Sequence, residues 1–158
     1  MNEEKAMKQD YEMMSKQIAS LAEISNRCMP VLANASAILY DALPGLNWAG
    51  FYLVEDGHLI LGPFQGKFAC VGIEKGKGVC GTAYEQDKTQ VVPDVHQFPG
   101  HIACDSASNS EIVIPLHCEG KVVAVMDIDS PLFDRFSIED AEGLSAFART
   151  LEEIISWE

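Results

Sequence analysis

Trp48-Ala49-Gly50-Phe51-Tyr52-Leu53-Val54, then Glu55-Asp56-Gly57, then His58-Leu59-Ile60-Leu61, reads as two β-strands joined by a tight turn, and that reading decides the fold. Aromatic and branched residues suit a pleated, half-buried surface, and Asp-Gly supplies the positive φ angles that a short hairpin turn needs. Downstream the β texture persists. A further strand is expected over residues 69–73, after which Gly76-Lys77-Gly78-Val79-Cys80-Gly81 leads into a short helix ending near Glu85. Beyond Thr89-Gln90-Val91-Val92 lies a loop of some length, then Ile112-Val113-Ile114-Pro115-Leu116 returns to the sheet, and Glu119-Gly120 turns it into a strand over 121–128. The glycines at 76–81 do not form a phosphate loop, because no GxxxxGK[ST] follows and the dinucleotide spacing is missing.

Helices flank this sheet. Residues 5–21 are rich in Met, Lys, Gln and Ala, and residues 29–43 carry apolar side chains at helical spacing, with Pro30 in the first turn, Asn26 as the expected cap and Pro44-Gly45 as the stop. Such a helical pair covers a sheet or a dimer partner. The last helix starts at Ser137, a cap with Asp140 three residues on, and places Leu144, Phe147, Leu151 and Ile155 at core spacing. The sum is an α+β domain with its helices gathered on one face of an antiparallel sheet. The expected organisation is a single domain over 1–158, made of N-terminal helices (1–45), sheet and loops (46–136) and a closing helix (137–158).

Composition narrows the function. The chain has 158 residues, 47% hydrophobic and 22% charged, which is enough for a real core. A net charge of −13 argues against nucleic acid and against anionic membranes, since phosphate groups would meet repulsion. No apolar stretch approaches the length of a bilayer span, and Met1-Asn2-Glu3-Glu4 lacks a signal pattern, so a cytoplasmic protein is expected.

Five cysteines, Cys28, Cys70, Cys80, Cys104 and Cys118, contain no CxxC pair, so neither a disulfide framework nor a closed zinc site is expected. Cys104 differs from the others in its surroundings. It sits in Gly100-His101-Ile102-Ala103-Cys104-Asp105, after the breaker Pro99-Gly100, three residues from His101 and close to the hydroxyls of Ser106, Ser108 and Ser110. Donors and cations of this kind stabilise a thiolate. A half-buried loop cysteine with no chemistry is the competing reading.

The element order resembles a GAF domain. Three stretches make the resemblance specific: Ala69-Cys70-Val71-Gly72-Ile73 with Gly76-Lys77-Gly78-Val79-Cys80-Gly81; Val92-Pro93-Asp94-Val95-His96-Gln97-Phe98-Pro99-Gly100-His101-Ile102-Ala103-Cys104-Asp105; and Asp127-Ile128-Asp129-Ser130. Over residues 47–136 the chain resembles the GAF-type free methionine-(R)-sulfoxide reductases. The resemblance implies reduction of free L-methionine-(R)-sulfoxide, with no bound cofactor and with thioredoxin as the external reductant. It makes Cys104 the nucleophile that becomes a sulfenic acid, Cys70 the resolving thiol that closes a disulfide, and Cys80 an auxiliary or alternative resolving thiol, for which a small core residue is the alternative. Cys28 and Cys118 fall outside that set and are expected to be structural.

A free amino acid must be held at both ends. Glu111, Asp127 and Asp129 are the expected partners of its ammonium, and one of them the acid that protonates the sulfoxide oxygen; Glu111 is assigned the oxygen and Asp129 a shared role. Asp127 and Asp129 lie two apart in a strand and so share a face, although a strand-end pair in water reads the same way. Trp48 and Tyr52, four apart on one face, match the family's aromatic positions and suit the CH₃–S end, with plain core as the alternative. The backbone of Ile102 and Ala103 is expected to bind the substrate carboxylate. The rival classes are a non-catalytic small-molecule-sensing GAF module and a thiol redox sensor. Family members commonly pair as homodimers, and the N-terminal helices offer apolar surface for it.

Overall fold

The structure is a computed structural model and describes residues 10–101 and 107–157. In chain order the elements are α1 (Tyr11–Leu21), α2 (Cys28–Ala42), β1 (Trp48–Glu55), β2 (His58–Gly66), β3 (Gly72–Glu74), α3 (Gly78–Gln86), β4 (Gln90–Val92), a 3₁₀ turn (Val95–Gln97), β5 (Ser110–Cys118), β6 (Lys121–Ser130) and α4 (Ile138–Ile154). The six strands lie in the order β3-β2-β1-β6-β5-β4, all antiparallel. Two three-stranded meanders are thus joined edge to edge through β1 and β6, from Trp48↔Asp129 to Leu53↔Ala124. Each meander is closed by a two-residue turn with both residues at positive φ, Asp56-Gly57 and Glu119-Gly120. That is the turn whose twist matches the flanking strands.

Strand alternation sorts the side chains into two cores. Ala49, Phe51, Ile112, Ile114, Leu116, Ala124, Met126 and Ile128 face α1, α2 and α4, meeting Ile18, Leu32, Leu39, Leu144, Phe147 and Leu151. Trp48, Tyr52, Val113 and Val125 point the other way, toward Val79, Cys80 and Ala83 of α3. The N- and C-terminal helices do share one face, but α3 lies on the opposite one, so the helices are not all gathered together. Burial on both faces explains why β5 and β6 read as near-continuous apolar runs. Against such a background each acidic residue stands out.

Local corrections have physical causes. The described part of the first helix begins after Asp10, whose side chain accepts from the Met13 N–H. Asn26 does not cap α2: the helix starts one residue later, so the cap position falls on Arg27, with no side-chain bond, and the backbone carbonyl of Asn26 accepts from the Ser156 N–H of the C-terminal segment. The strand expected at 69–73 is confined to Gly72–Glu74, since the side chains of Trp48 and Tyr52 hold the preceding segment as a loop. β2 runs on through Pro63 to Gly66, with a register shift opposite Gly50, where an added Cβ would lie 2.3 Å from that of Phe64.

The α4 start is as read from sequence. Ser137 and Asp140 form a reciprocal capping box, and Asp140 also accepts from Tyr11 Oη at 2.6 Å and pairs with Arg135 at 3.1 Å. Tyr11 packs against Gly143, where any Cβ would meet its ring at 2.1 Å. Burial works against the Asp140 charge, yet bonds from Tyr11 and Ser137 and the nearby Arg135 hold its carboxyl below the usual range. Ser137→Ala is expected to cost about 1 kcal/mol, which thermal unfolding would register as a Tm lower by about 2–4 °C. Among the described residues no helix is long and apolar enough to cross a membrane.

Candidate active site

On the α3 face of the sheet a small cavity opens between β1, β5, β6 and the start of α3. It gathers Trp48, Tyr52, Cys80, Glu111, Asp127 and Asp129, six of the residues singled out from sequence. The register brings them together. Glu111 pairs directly with Asp129 across β5 and β6, Asp129 pairs with Trp48 across β6 and β1, and Asp127 lies two residues further along the same face. The reading of Asp127 and Asp129 as a water-exposed strand end therefore fails for Asp127, which is 5% exposed, and Glu111 is buried as well, at 7%.

Three carboxyl groups on one face of a sheet repel one another, and removing them from water disfavours their charged forms further. Burial, then the Asp127 and Asp129 charges, push the Glu111 pKa well above the ordinary range. Burial also raises Asp127. The trio is therefore driven to hold a proton more tightly than free carboxyl groups do, Glu111 most strongly. Asp127 Oδ1 has no hydrogen-bond partner among the described residues, an uncommon condition for a buried carboxylate oxygen. Cys80 Sγ and one oxygen each of Glu111 and Asp127 lie within 4.8 Å of one another. A cation placed there would satisfy the group, and an ammonium ion is one such cation. The Cys80 thiol is held protonated, first by burial and then by the charges of Asp127, Glu111 and Asp129.

The aromatic wall has a double function. Trp48 stacks between Tyr52 and Phe64, with ring centroids 5.9 and 5.2 Å away. Trp48 Nε1 donates to the Lys67 carbonyl at 3.1 Å, and Tyr52 Oη donates to the Cys70 carbonyl at 3.0 Å. Both residues belong to the core and also line the cavity. Their polar tips fix the loop that carries Cys70 beside the cavity.

Cys70 is disulfide-bonded, whereas Cys28, Cys80 and Cys118 carry free thiols. Cys104, Ile102 and Ala103 lie outside the described residues. His101, before that segment, and Ser108, two residues after it, both line the cavity. Ser108 accepts from Asn47 Nδ2 at 3.0 Å, and Asn109 N–H donates to the Ser130 carbonyl, so the returning stem is tied to the end of β6 next to Asp129. Burial and the neighbouring His96 lower the His101 pKa.

Sequence reasoning passed over Lys77 as a site residue. It stands at the cap of α3 and is the one lysine or arginine among the lining residues described. Its flanking glycines, both at positive φ, were the available signal, because they bend the chain so that the helix start faces the sheet.

The sequence matches the GAF domain family over residues 32–156. It is 55% identical over 128 residues to the free methionine-R-sulfoxide reductase of Escherichia coli, covering 81% of this chain and 78% of that protein. The fold superposes on a structure of fRMsr of Staphylococcus aureus in its reduced form with a TM-score of 0.90 at 51% identity, covering 94% and 97% of the two chains. It also superposes on the free methionine-R-sulfoxide reductase of Neisseria meningitidis in complex with its substrate, with a TM-score of 0.88 at 42% identity over 93% and 89%. Identity at this level, sustained over most of both chains, is that of relatives: the chain belongs to the GAF-domain family of free methionine-R-sulfoxide reductases.

Proposed function

We propose that this protein reduces free L-methionine-(R)-sulfoxide to L-methionine, with Cys104 as nucleophile. The observation that carries the reading is the cavity in which the buried carboxyls of Glu111 and Asp127, with an unpartnered Asp127 Oδ1, and the half-buried Asp129 adjoin an aromatic wall and the disulfide-bonded Cys70. The relatives named for this activity, one of them solved in complex with its substrate, support it.

In the proposed sequence the Cys104 thiolate attacks the sulfoxide sulfur, Glu111 gives its proton to the departing oxygen, and methionine leaves a sulfenic acid on Cys104. Cys70 condenses with that sulfenic acid, releasing water and forming the Cys70–Cys104 disulfide. That only Cys70 among the four described cysteines is in a disulfide supports this pairing. Thioredoxin, oxidised to its own disulfide, returns both thiols, so each turnover converts one sulfoxide and one dithiol to methionine, water and one disulfide. Asp127 and Asp129 hold the ammonium, Trp48 and Tyr52 the methyl and sulfur end, and Lys77 with the backbone of Ile102 and Ala103 the carboxylate. Cys80, buried and protonated, serves at most as an auxiliary thiol. The reaction takes place in the cytoplasm, in one domain spanning 1–158 that pairs as a homodimer.

NADPH oxidation coupled through thioredoxin reductase and thioredoxin tests the reading with separated R and S sulfoxides, free and within a peptide. Turnover confined to the free R form is expected. Absence of turnover by reduced, folded protein would leave a sensing domain or a redox switch in its place.

A further inference from the structure

Cys70, which is disulfide-bonded, lies in a loop with exposed apolar side chains on both sides of it. Phe68 and Val71, on either side of Cys70, are 87% and 71% exposed. Other large apolar residues are also exposed, Ile24 and Ile138 among them, but single exposed residues are ordinary, and among the described residues none of the others brackets a disulfide-bonded cysteine. The loop is not loose backbone, because Trp48 and Tyr52 hold its carbonyls at Lys67 and Cys70 from below. It leads directly into β3, which is the edge strand of the sheet. An apolar patch held firmly beside an open strand edge is the kind of surface on which a protein partner seats.

Charge sets this patch apart as well. Across residues 67–77 the sequence has Lys67, Lys75 and Lys77 against the single acid Glu74, in a chain of net charge −13. All three lysines are exposed, and Lys75, which follows directly on β3, holds its Nζ 4.8 Å over the Tyr84 ring.

We propose that Phe68, Val71 and Lys75, around Cys70, form the docking surface for the protein dithiol that reduces this enzyme, and that the dithiol partner presents an apolar rim and net negative charge around its thiols. The inference rests on the disulfide chemistry proposed above and deepens it by locating the exchange. The partner's thiolate attacks Cys70 Sγ, the S–S bond breaks, and Cys104 leaves as thiolate and takes up a proton. The partner's second thiol then attacks its own sulfur in the mixed disulfide, which releases Cys70 as a thiol and leaves the partner oxidised. Two electrons and two protons pass from partner to enzyme.

Phe68 also lines the cavity, so the test uses Val71 and Lys75, which do not. Val71→Asp combined with Lys75→Glu is compared with wild type using thioredoxin, kept reduced by NADPH and thioredoxin reductase, and using dithiothreitol. The expected result is a KM for thioredoxin about tenfold higher, roughly 1.4 kcal/mol, with dithiothreitol-driven turnover and the KM for sulfoxide within about twofold of wild type. Raising ionic strength from about 0.01 to about 0.1 M shortens the Debye length from about 30 to about 10 Å; it should raise the wild-type thioredoxin KM and affect the variant less. The milder Val71→Ser reads the same ratio of thioredoxin to dithiothreitol rates if the double variant folds poorly. An unchanged thioredoxin KM overturns the docking surface alone. Wild-type turnover with dithiothreitol but none with thioredoxin does so too, whereas none with either reductant overturns the catalytic reading beneath it.

Discussion

Serine in place of Cys104 is expected to lower turnover of free methionine-(R)-sulfoxide by about four orders of magnitude, about 5.4 kcal/mol of barrier at ~1.36 kcal/mol per decade. The loss follows from the attacking atom. A thiolate is accessible near neutral pH and is strongly nucleophilic toward sulfur, while a serine hydroxyl stays protonated and is a poor nucleophile toward sulfur. Cys70→Ser separates the steps. It should release one equivalent of methionine per chain in a rapid-quench experiment and then stall with thioredoxin, with a sulfenic acid on Cys104 that a dimedone probe reports as a mass increase. Cys80→Ser should keep multiple turnover, because a thiol held protonated by burial and by Asp127 and Glu111 is a poor resolving nucleophile. A Cys70 variant that cycles at the wild-type rate with thioredoxin would transfer the resolving role to Cys80.

The sequence was informative where local chemistry decides structure. Asp56-Gly57 and Glu119-Gly120 are both turns, Ser137 with Asp140 is a capping box, and the alternation of β1 and β6 correctly put Trp48 with Tyr52 and Asp127 with Asp129 on shared faces. It was uninformative where distant chain decides. Asn26 has the right chemistry for a cap, but the helix starts one residue later, and the backbone carbonyl of Asn26 accepts from Ser156, at the far end of the chain. Residues 69–71 have strand-like composition, yet hydrogen bonds from Trp48 and Tyr52 keep Lys67 and Cys70 in a loop. Neither the opposite placement of α3 nor the pairing of Glu111 with Asp129 has a local signature. The second is the fact that turns three separate acids into one site.

Glu111→Gln is expected to lower turnover about 10²–10⁴-fold while making the substrate-free protein more stable, and the pairing of these two effects is the test. If Glu111 gives its proton to the sulfoxide oxygen, activity needs the protonated form, so wild-type kcat falls as pH rises through the raised Glu111 pKa. Glutamine has no proton of comparable acidity, so the variant is slow at every pH and loses that alkaline limb. For stability the sign follows from proton counting. With its pKa raised, Glu111 binds more proton in the folded than in the unfolded chain, from the unfolded value of about 4.3 up to its folded value, so its contribution becomes less favourable as pH rises through that window. Within the window the loss is about 1.4 kcal/mol for each step of one in pH. A glutamine side chain at this position does not titrate, and its amide can donate to the unpartnered Asp127 Oδ1. Thermal unfolding across the pH range should therefore show the variant gaining on wild type with rising pH, by about 2–4 °C in Tm for each ~1 kcal/mol. Full turnover in Glu111→Gln would take the acid role away from Glu111, and a variant less stable than wild type above neutral pH would show that the trio is not strained in the folded protein.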